Sequence, residues 1–438
     1  MTKKQIDQIA EKENLSFIYL QFSDLLGQPK NVVIHIDRLN DVLESGIWFD
    51  GSSIEGFART AESDMLLKPD LDTFAIIPWS EPERRAARLI CNAFRPSGRI
   101  LTADPRLILQ KALERARKIG FEYFVGAEFE FYLFEREALP NLKPHDDKSY
   151  FDYTPHSRAA GICELTMKSL KAFGIQSEMH HHEVGQGQHE IDIRYDRALK
   201  SADNIFSIKM ALKAHAANTE LKAVWMPKPI LGFPGNGLHV HQSLWKGSQN
   251  LFYDPDGQYC LSKLGLHFLA GQLNHAKALS AIVSPTVNSY KRLVSGYEAP
   301  IYICWGQTNR SALVRIPRSA EEKAATSSRL EYRAPDPSSN PYLTFAALLT
   351  AGLDGIEKKL MPPTATEENV YEFDDDKLSK NNIDCLPANL GEAIEALEKD
   401  PVIADIFGSA KERYLEIKRK EWKEFSTQVT AWEIEKYL

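Results

Sequence analysis

Between Phe121 and Phe134 the chain reads FEYFVGAEFEFYLF, and Phe121, Tyr123, Val125, Ala127, Phe129, Phe131 and Leu133 are all apolar. A period of two is the pattern of a strand with one face in a core. It puts Glu128 and Glu130 together on the other face. Two carboxylates on so hydrophobic a strand are costly to bury without a compensating charge. A divalent cation, which takes oxygen ligands, supplies one; the alternative is an edge strand with a solvated glutamate face.

The pattern before this strand predicts a small α+β unit. Residues 3–13 have helical spacing, and LSFIYLQFSDLLGQPKNVVI reads as two strands about a turn at Gly27-Gln28-Pro29. A short helix over 37–45 ends near Gly46, followed by a polar loop, WFDGSSIEGFARTAESDM, and two strands, TFAIIPWS and RAARLICNAF. At Asp104-Pro105 an N-cap and a proline in the first turn start a helix that Gly120 stops. We therefore place a domain boundary there, giving units 1–103 and 104–438. In the second unit the pattern predicts helices over 157–173, 197–221 and 262–281, and a mainly helical remainder from Tyr342. IQSEMHHHE and HEIDIRY are strands around a turn at Val184–Gln188, with further strands in GLHVHQSLW, SALVRIPR and SRLEYRAP.

With 438 residues the chain can build two or three cored domains. Its net charge of −7 gives no basic footprint for nucleic acid or an anionic membrane, and its apolar runs are too short to span a bilayer. The N-terminus carries lysines but no apolar stretch of a secretory signal. Cys91, Cys163, Cys260, Cys304 and Cys385 are odd in number and lack a CxxC, so a cytoplasmic setting is expected.

Three further groups add chemistry. Glu183 and Glu190 flank the Val184–Gln188 turn, so two strand ends can present both carboxylates at one spot. The neighbouring His180, His181, His182 and His189 cannot all face one ion, and we expect them mostly to pack or hydrogen-bond. His239 and His241 share one strand face after Gly235-Asn236-Gly237, whose glycines permit close approach to the backbone. Arg292, Arg310, Arg315, Arg329 and Arg333, interleaved with Glu298 and Glu331, suit carboxylates or phosphates; a salt-bridged surface is the plainer alternative. Neither a Walker A sequence nor a GxGxxG is present.

These stretches resemble type I glutamine synthetase of bacteria and archaea. The resemblance runs in order through WFDGSSIEGF, ESDM, GAEFEFYLF, HHEVGQGQHEID, MPKPI, GLHVHQSL, NSYKRLVSGYEAP, NRSALVRIP and LEYRAPDPSSNPYL. It implies an α+β fold: a small N-terminal β-grasp-like domain and a large catalytic domain whose curved antiparallel sheet forms a funnel. It also implies ATP-dependent ligation of ammonia to L-glutamate through γ-glutamyl phosphate. A γ-glutamyl-amine ligase acting on a polyamine or methylamine is the alternative within the same fold. The form is the compact one, since NNIDCLPANL replaces the tyrosine-bearing loop that is adenylylated in enterobacterial enzymes.

By the same resemblance, Glu130, Glu183 and Glu190 hold one Mg2+ or Mn2+, and Glu128, His239 and Glu331 a second. Arg310, Arg315, Arg329, His241 and Ser243 serve ATP. Arg292 and Arg333, with the Gly235, Asn236 and Gly237 turn, serve glutamate. Glu298 is the flap carboxylate that closes the site, and Asp50 binds ammonium in a neighbouring subunit's site, which implies a homo-oligomer of two hexameric rings, a dodecamer. Arg59 is expected to couple bound glutamine to inhibition, and nitrogen-regulatory proteins are further expected partners. Two positions depart from the family: Pro234-Gly235-Asn236-Gly237 replaces the usual Asn-Gly-Ser-Gly, and Ser295 replaces the flap proline.

Overall fold

The computed structural model describes residues 1–57, 63–138, 141–153, 157–296 and 299–438. The N-terminal unit is a five-stranded sheet of β1 (Phe17–Ser23), β2 (Pro29–His35), β3 (Ile47–Asp50), β4 (Asp64–Ile76) and β5 (Ala86–Phe94). Its order is β2-β1-β5-β4-β3, parallel only between β1 and β5. Part of the expected polar loop is therefore strand. Trp48 and Asp50 lie on edge strand β3, and Asp64–Leu71 extends β4. The register shift between Asp70 and Ala75 lets β4 pass its polar, proline-bearing middle and still pair with β5.

The helix Pro105–Lys118 begins as its sequence demands. Asp104 accepts from the N–H groups of Arg106 (2.8 Å) and Leu107 (3.2 Å), the capping bonds that satisfy free first-turn donors. Arg106 then ties the units together, bonding Asp203 of the second and Asp70 and Asn92 of the first.

The second unit carries a nine-stranded curled sheet among the described residues. Its strands are β6 (Glu122–Glu135), β7 (Ser177–His182), β8 (Gln188–Arg197), β9 (Leu221–Val224), β10 (Leu238–Lys246), β11 (Gln249–Asn250), β12 (Tyr302–Gly306), β13 (Ala312–Arg315) and β14 (Leu330–Tyr332). The main path runs β12-β13-β14-β10-β6-β8-β7, antiparallel except for β12–β13. Tyr123, Val125, Ala127, Phe129, Phe131 and Leu133 of β6 are buried, against helix Ala198–Ala217 among others. The alternation predicted for this strand thus sets its core face.

Helix Pro341–Lys358 crosses helix Lys263–Asn274 so closely that a Cβ on Gly355 would lie 2.2 Å from the His267 carbonyl oxygen. The expected single helix over 262–281 is two, Lys263–Asn274 and Ala276–Val283, joined at His275. His275 is held between Asp354 (3.0 Å) and Asp400 (2.5 Å).

Candidate active site

Strand pairing brings the chemistry onto one sheet face. Residues directly opposite in an antiparallel pair share a face, so three rows form across the strands. His239, Glu128 and Asp192 make one, from β10, β6 and β8. Glu130, Glu190 and His181 make the second, from β6, β8 and β7. His241, Glu331 and Arg315 make the third, from β10, β14 and β13. Positions far apart in the chain meet because β14 lies beside β10, an order that no local pattern encodes.

Glu128 sits between both histidines, 2.7 Å from His239 Nδ1 and 2.7 Å from His241 Nε2. Arg329 Nε donates to His241 Nδ1 at 3.2 Å, so the Nε2 proton of His241 is free to donate to Glu128. Glu331 is 2% exposed and joined to Arg315 Nε at 2.5 Å and Arg333 Nε at 3.2 Å. Ligand atoms of Glu128, His239 and Glu331 converge within 4.8 Å of one another, a trio able to take a cation.

The other expected trio differs in one member. Around Glu183 and Glu190 the third converging ligand is His181, not Glu130. His181 lies 3.1 Å from Glu190 and 3.6 Å from Glu183. Glu130 remains across the strand pair from Glu190, but its Oε2 accepts from Gly237 N–H (2.7 Å) and the Gln188 amide (3.3 Å). We expected these histidines mostly to pack or hydrogen-bond, yet His181 and His189 each lie in a group whose ligand atoms converge. Asp192 was missed altogether, although HEID places Glu190 and Asp192 two apart, as Glu128 and Glu130 are.

The carboxylates strain against one another. Burial first, then Glu130, Glu128, Asp192 and Glu183, push the Glu190 carboxyl far up. Burial and Glu128 push Asp192 to about 6. Burial also opposes charge on Glu128, yet His241 and His239 hold it well below the usual carboxylate range. For Glu331, His241 and Arg333 likewise outweigh burial and lower it. A site with this excess of buried acid, rich in oxygen donors with few imidazoles, suits Mg2+ or Mn2+.

The turn before β10 fits against these groups. Arg292, from the short helix Ser289–Arg292, is buried and donates to the carbonyls of Ala334 (2.8 Å) and Arg333 (3.1 Å). A Cβ on Gly237 would lie 2.8 Å from Arg292 Nη2 and 2.8 Å from His239 Nε2, so only glycine leaves that space clear. The Asn236 side chain is fully buried, its amide donating to the Met226 carbonyl and its oxygen accepting from Gln188. Burial turns this side chain inward, so the turn presents backbone and space to the site.

Ser243 is buried and accepts from Trp245 Nε1 at 2.9 Å. Arg310 is exposed, and its carbonyl accepts from Arg333. Asp50 is exposed at the sheet edge, where hydrogen bonds from Ser52 hold its carboxyl below the usual range. Glu298 and Arg59 lie outside the described residues.

One curled sheet thus carries two carboxylate-rich clusters able to take a cation, with arginines alongside, an arrangement that fits an enzyme site. The chain belongs to the glutamine synthetase family: the model of the glutamine synthetase catalytic domain matches residues 102–437, and that of its β-grasp domain matches residues 14–96. The glutamine synthetase of Thermotoga maritima is 48% identical over 100% of both chains. That of Methanocaldococcus jannaschii is 46% identical over 100% of this chain and 98% of its own. Among solved structures, the glutamine synthetase of Plasmodium falciparum superposes with a TM-score of 0.89 at 27% identity, covering 99% of this chain and 98% of its own. A GmaS/ADP complex gives 0.89 at 32% identity, covering 98% of each chain.

Proposed function

We propose that this chain ligates ammonia to the γ-carboxylate of L-glutamate at the expense of ATP, yielding glutamine, ADP and phosphate. The observation that carries the reading is the assembly, on one sheet face, of two cation-competent carboxylate clusters with Arg315, Arg329 and Arg333 beside them. A carboxylate is a poor electrophile, so its γ-oxygen first takes the γ-phosphoryl group of ATP, and ADP leaves. Ammonia then attacks the carbonyl carbon, and phosphate leaves with the oxygen that bridged it.

Glu128, His239 and Glu331 would hold one Mg2+ or Mn2+, and Glu183 and Glu190, with Glu130 or His181, a second. Bound there, such ions supply charge neutralisation for the ATP phosphates and orientation for the glutamate carboxylate. The chain's own groups do the rest by positioning and electrostatics, the main terms in phosphoryl transfer. Arg310, Arg315 and Arg329 face the phosphates, with His241 and Ser243 towards the nucleotide. Arg292 and Arg333 clamp the substrate's α-carboxylate above the backbone of Gly235 and Gly237. Glu298 closes the site and takes a proton from the bound nitrogen.

Asp50, ionised and exposed at the rim of the small sheet, binds ammonium in the site of a neighbouring copy, making the enzyme an oligomer. Trp48, on the same strand face and 57% exposed, and the exposed Trp432, Tyr437 and Leu438 near the carboxyl end support such packing. We assign two hexameric rings, a dodecamer, in the cytoplasm; light scattering tests the mass.

One observation favours the second reading, a γ-glutamyl-amine ligase: Asn236 is unavailable to substrate in a turn that already departs from the family. Asp50 weighs against it, because an anionic cage serves a small cation better than a bulkier amine. Product analysis with glutamate, ATP and either ammonium, methylamine or polyamines decides. Glutamine as the preferred product is expected; preference for an amine adduct would replace the proposal with the second reading.

A further inference from the structure

Behind the second catalytic cluster lies a group of side chains that the ligation reaction does not use. The segment 141–153 follows β6 and folds back along it, with Glu135 N–H on the Lys143 carbonyl and His145 N–H on that of Leu133. This seats His145 and Asp146 against His189, which precedes Glu190 in β8. One ligand atom from each of His145, Asp146 and His189 falls within 4.8 Å of the others. His145 Nε2 is 2.9 Å from His189 Nε2 and 3.3 Å from Asp146 Oδ2.

Hydrogen bonding alone accounts for this arrangement incompletely. A proton on one imidazole can join the two rings. Asp146 Oδ2 is then left buried without a hydrogen-bond partner, despite its nearness to His145. The other oxygen, Oδ1, is fixed by Gly187 N–H at 2.8 Å and by His182 Nε2 at 3.2 Å. His182 is itself oriented by its Nδ1, 2.6 Å from the Glu183 carbonyl. A carboxylate held by one oxygen, with the other left 3.3 Å from an imidazole nitrogen, is how outer partners aim ligands at a metal.

We infer that His145, Asp146 and His189 form a separate structural site for Zn2+ or a similarly borderline cation. Two imidazoles and one carboxylate are a zinc-type donor set, unlike the oxygen-rich clusters on the sheet face. Two zinc–nitrogen bonds of ~2.0–2.1 Å at a tetrahedral angle place the nitrogens roughly 3.3 Å apart. The imidazoles therefore need to part by less than ~0.5 Å for the ion to enter. The ion would pin the 141–153 segment to β8. That segment packs Tyr150 and Phe151 on the His181 ring, at centroid distances of 5.6 and 4.6 Å, so the pin would steady one wall of the active site.

The test uses the full-length protein, stripped with chelator and dialysed against ZnCl2 in saturating MgCl2. We expect a single Zn2+ per chain, replaceable by Co2+ with the strong visible absorption of a tetrahedral centre. His145→Ala and Asp146→Asn should each lose both signals while retaining Mg2+-dependent turnover. Zinc no higher in the wild type than in His145→Ala would overturn the site, as would zinc that persists in both variants and disappears in Glu128→Gln. Should His145→Ala fail to fold, anomalous scattering at the zinc edge from wild-type crystals decides. A peak between His145 and His189 supports the site, and no peak there refutes it.

Discussion

Glu331→Gln separates the two jobs of the most enclosed carboxylate in the site. Glutamine keeps the shape but removes the charge that Arg315 Nε and Arg333 Nε share, at 2.5 and 3.2 Å. Hydrogen bonds to charged groups are worth about 1.5–3 kcal/mol each. Removing one partner of a buried pair costs about 3–5 kcal/mol, because the remaining charge stays desolvated. Arg315 is 27% exposed and recovers some hydration, so the lower end applies, about 3 kcal/mol. Denaturant unfolding of chelator-treated protein reads this directly, without metal-linked stability. Glu190→Gln is the control. Burial and neighbouring carboxylates already oppose charge there, so loss of the charge should leave metal-free stability unchanged or higher. In calorimetric Mg2+ titrations both variants should lose an ion. A Glu331→Gln protein as stable as wild type without metal, or an equal fall in Glu190→Gln, would refute this role for the Glu331 charge.

Other outcomes follow from groups away from the sheet face. Hydrogen bonds to Asp400 and Asp354 raise His275 above its ordinary value despite burial. The stability it contributes is therefore complete below about pH 6.5 and lost as pH climbs through its elevated folded value. Melting temperatures of wild type and His275→Gln should thus differ most in mild acid and converge in alkali; a gap that widens with pH contradicts this. Asp50→Asn should bind ATP and glutamate yet turn over ammonium poorly. Co-assembly with Glu331→Gln subunits should restore part of the rate if Asp50 acts in a neighbour's site, and verified mixed oligomers without rescue would place it in its own. Arg59→Ala should raise the glutamine concentration for half inhibition several-fold with turnover nearly intact. An unaltered inhibition curve removes Arg59 from regulation, since a ligand shifts a state only through differential affinity.

The two faces of β6 and the Asp104-Pro105 helix start were legible because each rests on neighbours in sequence. β3 and the first half of β4 were not. β3 is only four residues long with Trp48 and Asp50 outward, and in β4 Pro69 with Asp70 and Asp72 reads as a break, whereas the observed sheet absorbs them through a register shift. Asp192 escaped notice because its partner, Glu128, is opposite it only once β8 pairs with β6. His181 was discounted by a sound rule about consecutive histidines. Alternation along β7 puts His181 and His182 on opposite faces, one at Glu190 and the other at Asp146. The break at His275 needed two distant aspartates that no helical period reveals.

In the proposed reaction glutamate's own carboxylate takes the phosphoryl group before nitrogen arrives. Glutamate labelled with oxygen-18 in its γ-carboxylate, incubated with ATP, Mg2+ and ammonium, tests it by mass spectrometry of the released phosphate. One labelled oxygen is expected in each phosphate and one in the glutamine amide. Unlabelled phosphate formed together with glutamine would show that the γ-oxygen never bridged to phosphorus, and would contradict it.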